Sequence, residues 1–233
     1  MKHILLSKLL LLVASQMFLL VLKAEASLLG NYTPSDNPIE VEQRRTVGSG
    51  SRGCQSDLPK DSLTLLVPEA SVVHHTYSSA PPLYVHSKVG SNLPLKFTLV
   101  DPQVAEPIVE QSFSISQPGV KQIELPESTN LKEGTVYLWY VAIPCQQDSS
   151  EEYEVLSAAI QRVSMNAEVK QQLQKSDTEE ETATVYATNG IWYEALSLAV
   201  RDRDRPEHLQ QLLSNVGLTL SKEQIVLEIL SFR

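Results

Sequence analysis

Three histidines, two cysteines and two runs of carboxylates are the side chains of this 233-residue chain whose types and spacing could do chemistry. His74-His75 with His86 could bind zinc or copper, the ligand set of a metal chaperone. Adjacent residues on an extended chain point to opposite faces, so the pair makes a poor chelate, and no Cys or carboxylate has matching ligand spacing. The sequence around them predicts histidines exposed in and near a loop ahead of a strand at 83–86. Cys54 and Cys145 are an even pair with no C-x-x-C spacing and no neighbouring base. That favours a structural disulfide over a reactive thiol. Glu151-Glu152 and Glu179-Glu180-Glu181 read as a solvated loop and a helix N-terminus, where negative charge is favourable. There is no G-x-S-x-G elbow, no Ser in a triad context, and no Gly-rich phosphate loop opening a helix. The sequence therefore assigns no catalytic, cofactor-binding or metal residue, and an enzyme is unsupported.

The first residues set the compartment. Lys2 and Lys8 precede an almost wholly apolar stretch from Leu9 to Leu22, and Ala24-Glu25-Ala26 is an A-x-A cleavage pattern. Residues 1–26 read as a secretory signal with Ser27 as the new N-terminus. A retained anchor is the alternative, although the apolar run falls short of the roughly 20 residues that span a bilayer. No later stretch is long and apolar enough to cross, so no membrane span is expected after cleavage. Cleavage removes three lysines (Lys2, Lys8, Lys23) and one glutamate (Glu25), taking the net charge from −9 to −11. An acidic chain is a poor ligand for phosphate backbones, which argues against nucleic acid as a partner, and for anionic lipid. Arg201, Arg203 and Arg205 are interrupted by Asp202 and Asp204 and read as a self-neutralising helix end. In an oxidising compartment, a Cys54–Cys145 bond closes a loop of about 90 residues and stabilises by roughly 4–5 kcal/mol in the chain-entropy model.

The elements that must position these groups fall into three blocks after the signal. Residues 27–58 are rich in Gly, Ser, Pro and Asn and read as a flexible linker. Residues 59–164 hold seven short alternating runs between turn residues, at 62–67, 83–86, 95–100, 108–115, 120–125, 135–143 and 153–163. That pattern predicts an immunoglobulin-like antiparallel β-sandwich, bracketed by the two cysteines, with Tyr137 either a corner tyrosine or simply a buried aromatic. Residues 165–233 turn helical, making the chain α+β with a C-terminal helical segment. Asn166 caps a helix over 167–175, and Asp177 or Thr178 caps a second through Tyr186. A third runs over 191–203 and a fourth from Pro206 to Gly217. A fifth over 222–231 follows a capping box of Ser221 and Gln224. Gly190-Ile191-Trp192-Tyr193-Glu194-Ala195-Leu196 followed by Pro206 fits one tetratricopeptide-like helix pair or an ordinary helical hairpin, and no second copy of the repeat is present.

Several fragments, in order, carry a family resemblance. They are Arg45-Thr46-Val47-Gly48-x-Gly50-Ser51-Arg52-Gly53-Cys54, Leu63-Thr64-Leu65-Leu66-Val67-Pro68, Phe97-x-Leu99-x-Asp101, Gln117-Pro118-Gly119-Val120 and Leu125-Pro126. Leu131-x-x-Gly134-x-x-Tyr137-x-Trp139 and Tyr186-Ala187-x-x-Gly190-Ile191-Trp192-Tyr193-Glu194-Ala195-Leu196 complete the set. Over about 45–220 the chain resembles the cyanobacterial exported domain-of-unknown-function family 928. The family usually has an aromatic-rich second strand where this chain has Pro82-Leu83-Tyr84-Val85-His86, so no aromatic surface is expected there. The resemblance implies a cyanobacterial protein of the periplasm or cell exterior and brings no reaction with it. The functional expectation is a non-enzymatic cell-envelope binding or interaction module for a protein or glycan partner, without a cofactor. An envelope hydrolase with an unrecognised site is the alternative.

Overall fold

A computed structural model describes residues 31–35, 38–41, 59, 62–69, 71–144 and 153–230. The export signal, the linker from 42 to 58, Cys54 and Cys145 lie outside the described residues.

Nine strands and four helices form among the described residues. The strands are β1 (Leu63–Leu65), β2 (Val73–Thr76), β3 (Leu83–Ser87), β4 (Ser91–Val100), β5 (Val109–Ile115), β6 (Gly119–Ile123), β7 (Val136–Pro144), β8 (Tyr153–Arg162) and β9 (Leu227–Leu230). The helices are α1 (Ala167–Gln174), α2 (Glu179–Thr188), α3 (Trp192–Arg201) and α4 (Pro206–Ser214). The strands make a four-stranded sheet in the order β1-β3-β6-β9 and a five-stranded sheet in the order β2-β8-β7-β4-β5. β1 touches β8 and β9 touches β5, so the sheets meet in the same lateral order and share one core. Alternation does the rest: Tyr137, Trp139, Val141 and Ile143 of β7 are buried, and the residues between them are more open, except Leu138. Leu138 joins Val73 and Ala159 in a small cluster of its own.

The structure is α+β with its helices C-terminal, and three expectations are corrected. First, the sheets are mixed and not antiparallel: β2 pairs parallel with β8, and β6 pairs parallel with β9. Second, the histidines are not in exposed loops. His74 and His75 form β2, His86 lies in β3, and His74 and His86 are fully buried. A four-residue strand with two central histidines shows too little alternation to stand out in a sequence. Third, the fifth helix does not form. The Ser221–Gln224 capping box is made, yet the helix ends after one 3-10 turn, Lys222–Gln224. Leu227–Leu230 instead satisfies the open edge of β6, where backbone groups need partners, and Leu230 is buried in the shared core.

The helices share the core of the sheets. Trp192 is buried and donates its indole N–H to the Leu66 carbonyl at 2.9 Å. Trp139 donates to the Tyr193 hydroxyl at 3.1 Å, linking the centre of the five-stranded sheet to α3. Asn166 and Thr178 cap α1 and α2 by accepting from the Val169 and Glu181 amides. Gly190 sits at φ +74 between α2 and α3, where a side chain would also crowd the Thr33 carbonyl. That turn folds α3 back along α2 and sets its registry over the end of β2. Tyr137 is a buried aromatic whose hydroxyl accepts from the Lys132 amide, five residues upstream, at 3.0 Å.

Candidate functional site

Helix α3 has an apolar face of Trp192, Ala195, Leu196, Ala199 and Val200 turned to the core. Glu194, Ser197, Leu198 and Arg201 follow at i, i+3, i+4 and i+7, so they share another face. That face lines a cleft of about 260 Å³, whose opposite wall is the β2–β3 connection with Ser78, Pro81 and Pro82, and whose side is Tyr186 of α2.

Glu194 is the group that organises the cleft. One carboxylate oxygen, Oε1, accepts three hydrogen bonds from the chain leaving β2: the Thr76 hydroxyl at 2.7 Å, the Tyr77 amide at 2.8 Å and the Ser78 amide at 3.0 Å. The other oxygen, Oε2, is buried and has no hydrogen-bond partner among the described residues. Burial pushes the carboxyl above its ordinary range; the donors from Thr76, Tyr77 and Ser78 pull the other way and do not cancel it. The rings of Tyr77 and Tyr186 lie 6.1 Å apart. Both phenols are pushed up, by burial first and then by the negative charge of Glu194. At the far end, the exposed Arg201 guanidinium donates to the Ser197 hydroxyl at 2.9 Å. The Tyr84 hydroxyl is 3.3 Å from the same oxygen. Ser197 is thus held by a phenol and a guanidinium, neither of which is a general base at neutral pH, so its hydroxyl is not an activated nucleophile.

The structure separates the histidines read as a ligand set. His74 belongs to the five-stranded sheet, His86 to the four-stranded one, and His75 points away from His74 along β2. His74 has its Nε2 2.8 Å from the Glu69 carbonyl and its Nδ1 3.3 Å from the Tyr32 hydroxyl. Burial lowers its pKa to about 4. His86 has a buried Nε2 without a hydrogen-bond partner, and burial, then Lys88 and Lys121, lowers it to about 4. Among the described residues no group of three His, Cys, Asp or Glu side chains could hold a metal ion. A second, larger cleft of about 390 Å³ runs past Tyr32, Glu69 and His74. Both His74 nitrogens are engaged within the protein, which leaves that cleft without the unpaired buried group that marks the first.

The charge runs neutralise each other across helices. Arg205 pairs with Glu180 at the start of α2 and, at 3.1 Å, with Asp202 after α3. His208 Nδ1 of α4 lies 2.8 Å from Asp202. These contacts tie three helices together and leave the α3 cleft to one side. Glu194, which organises the cleft, sits inside the repeat-like motif and is not singled out by the sequence patterns above. Its signal was a carboxylate amid Ile191-Trp192-Tyr193 and Ala195-Leu196, where a charge has to be matched or used.

Two mixed sheets with C-terminal helices and an α3 cleft around a half-satisfied carboxylate define the class: an α+β protein with a small built pocket. A family model for a domain of unknown function (DUF928) matches residues 47–226, and the chain belongs to that family. No curated protein and no solved structure matches the chain. No helix among the described residues is long and apolar enough to cross a membrane.

Proposed function

We propose that this is an exported, non-enzymatic binding protein of the cyanobacterial cell envelope, in the periplasm or outside the cell, which holds a fragment of a protein or glycan partner in the α3 cleft. The observation that carries the binding reading is Glu194. A carboxylate that is buried, fixed through one oxygen and unpaired at the other is costly unless a ligand donor completes it. Export rests on the lysines, apolar run and A-x-A pattern of residues 1–26 and on the acidity of the remainder. The Cys54–Cys145 disulfide belongs to the same reading. So does an immunoglobulin-like kinship of the β part, supported by the Tyr137 bond.

The raised carboxyl of Glu194 favours one second reading, a hydrolase in which this group is a general acid. The test is recovery of the protein from a cell fractionation. The binding reading expects it in the envelope or medium fraction, beginning at Ser27 and with Cys54 linked to Cys145 by non-reducing mass spectrometry. It also expects a small compound that survives desalting, stays chemically unchanged and is lost in Glu194→Gln. Cytoplasmic recovery with Met1 intact contradicts export. Turnover of an envelope polymer that Glu194→Gln abolishes contradicts the binding reading in favour of the hydrolase.

A further inference from the structure

Residues 31–35 and 38–41 cross the folded chain as a strap with two anchors. At the first, the Thr33 amide donates to the Ala187 carbonyl of α2 at 3.0 Å. There the Tyr32 ring also stands edge-on to Trp192, centroids 5.0 Å apart. At the second, the Val73 amide of β2 donates to the Ile39 carbonyl at 3.0 Å, and the Val41 amide to the Ser71 carbonyl at 2.8 Å. Between the anchors Pro34 and Pro38 line the cleft of about 390 Å³, together with Tyr32 and His74. His74 is 2% exposed and holds the strap through Tyr32. Its Nε2 donates to the Glu69 carbonyl at 2.8 Å, so Nδ1 carries no proton and accepts from the Tyr32 hydroxyl at 3.3 Å. A second proton has to go on Nδ1, where it meets the proton that Tyr32 donates. The phenol must then turn and lose its acceptor. Among the described residues no carboxylate lies within ion-pair distance of the ring. Glu69 is exposed and accepts from the Ser71 hydroxyl, and its pull on the imidazole is opposed by the neighbouring His75. An imidazolium is therefore poorly housed under the closed strap and is hydrated once Tyr32 lifts away.

We propose that the strap is an acid-released latch, closed over the Tyr32–His74 cleft while His74 is neutral and freed when the ring takes its second proton. This goes beyond the binding reading and concerns a cleft other than that of Glu194. Burial lowers the imidazole to about 4 under the closed strap, against 6.5 in water. The open form thus binds the proton more tightly, and closure is full above 6.5 and weakens as pH falls toward 4. Those two values raise the opening equilibrium about 25-fold between pH 7 and pH 5.

The test is amide hydrogen exchange of the full mature chain at pH 7 and pH 5, corrected for the intrinsic effect of pH on exchange. Exchange reads the open form while it is still rare. The strap amides of Thr33 and Val41, and that of Val73 beneath the strap, are expected to lose protection about 25-fold at pH 5. Amides of β4 and β7, in the middle of the five-stranded sheet, should lose far less. His74→Gln keeps a donor for the Glu69 carbonyl and does not titrate, so its strap protection should be equal at the two pH values. Tyr32→Phe removes only the hydroxyl; strap protection should drop at pH 7 and drop again at pH 5. Unchanged strap protection in the native protein overturns the proposal. So does a pH dependence that survives in His74→Gln, or an equal loss in β4 and β7, which means unfolding of the whole domain.

Discussion

Replacing Glu194 in two ways separates what its oxygen does from what its charge does. In Glu194→Ala the acceptor for Thr76, Tyr77 and Ser78 disappears. Ser78 keeps a second acceptor in the Thr76 hydroxyl at 3.0 Å, so the groups truly stranded are the Tyr77 amide and the Thr76 hydroxyl. At roughly 1–2 kcal/mol for each buried unsatisfied group, the loss is about 3 kcal/mol, or a Tm lower by about 6–12 °C for a protein of this size. Glu194→Gln keeps the accepting oxygen and removes the buried charge. Because the folded carboxyl is raised above its unfolded value, the folded state holds its proton more tightly than the unfolded chain. That contribution is full below the unfolded pKa and is lost as pH rises through the folded one, so at neutral pH the ionised group costs stability. Glu194→Gln should therefore stay within about 1 kcal/mol of the native protein at pH 7 and depend less on pH above the carboxylate range. Urea unfolding of the three proteins at pH 4 and pH 7 decides the matter. If Gln is as unstable as Ala at pH 7, the charge itself holds the turn, and the argument that Glu194 is kept at a cost for a ligand is refuted.

The ion pair of Lys121 with Glu228, 2.7 Å long, should be lopsided, because the Lys121 side chain is fully buried and Glu228 is a quarter exposed. Glu228→Ala removes both carboxylate oxygens and strands a buried ammonium whose other contact is the Pro118 carbonyl at 3.4 Å, and should cost about 3 kcal/mol. Lys121→Met leaves Glu228 with Ser116 and solvent, and should cost about 1 kcal/mol or less by urea midpoint; the reverse order would contradict the burial argument. Gly119 sits at φ +127, where a Cβ would lie 2.4 Å from the Val226 carbonyl. Gly119→Ala should cost at least about 2 kcal/mol and speed amide exchange at 227–230, and unchanged exchange there would refute it. With His74 and His86 depressed to about 4, stability should be full above the ordinary imidazole pKa of 6.5 and fall between there and pH 4 as the unfolded chain takes up protons first. Proton NMR should show both rings neutral at pH 5.5, and titration of either near 6.5 would contradict their burial.

Legibility followed periodicity. Leu95–Val100 alternates cleanly and is a strand, and the runs at 120–125 and 135–143, bounded by turn residues, contain strands as well; Trp192, Ala195, Leu196 and Ala199 recur at helical spacing and are the buried stripe of α3. The elements missed are those whose state is decided by a distant partner. Val73–Thr76 is a strand because β8 offers a parallel edge, and Leu227–Leu230 is one because β6 does. Both choices rest on neighbours more than 80 residues away in the chain, so no local window holds them. The site was hidden for the same reason. Glu194 is a helix residue by its neighbours, and it becomes a site only when the turn of Thr76, Tyr77 and Ser78 is brought to one of its oxygens and Tyr186 to its side. The histidines were conspicuous by type and adjacency, yet adjacency on a strand sends them apart.

The most direct measurement on the central claim is amide chemical-shift mapping of the isotope-labelled mature chain during titration with the small-molecule fraction of its own cell envelope. The Glu194 cleft as a ligand site predicts saturable shifts at Ser78, Tyr186, Glu194, Ser197 and Arg201 that vanish in Glu194→Gln. Shifts confined to the cleft beside Tyr32 and His74, or identical shifts in Glu194→Gln, would contradict it.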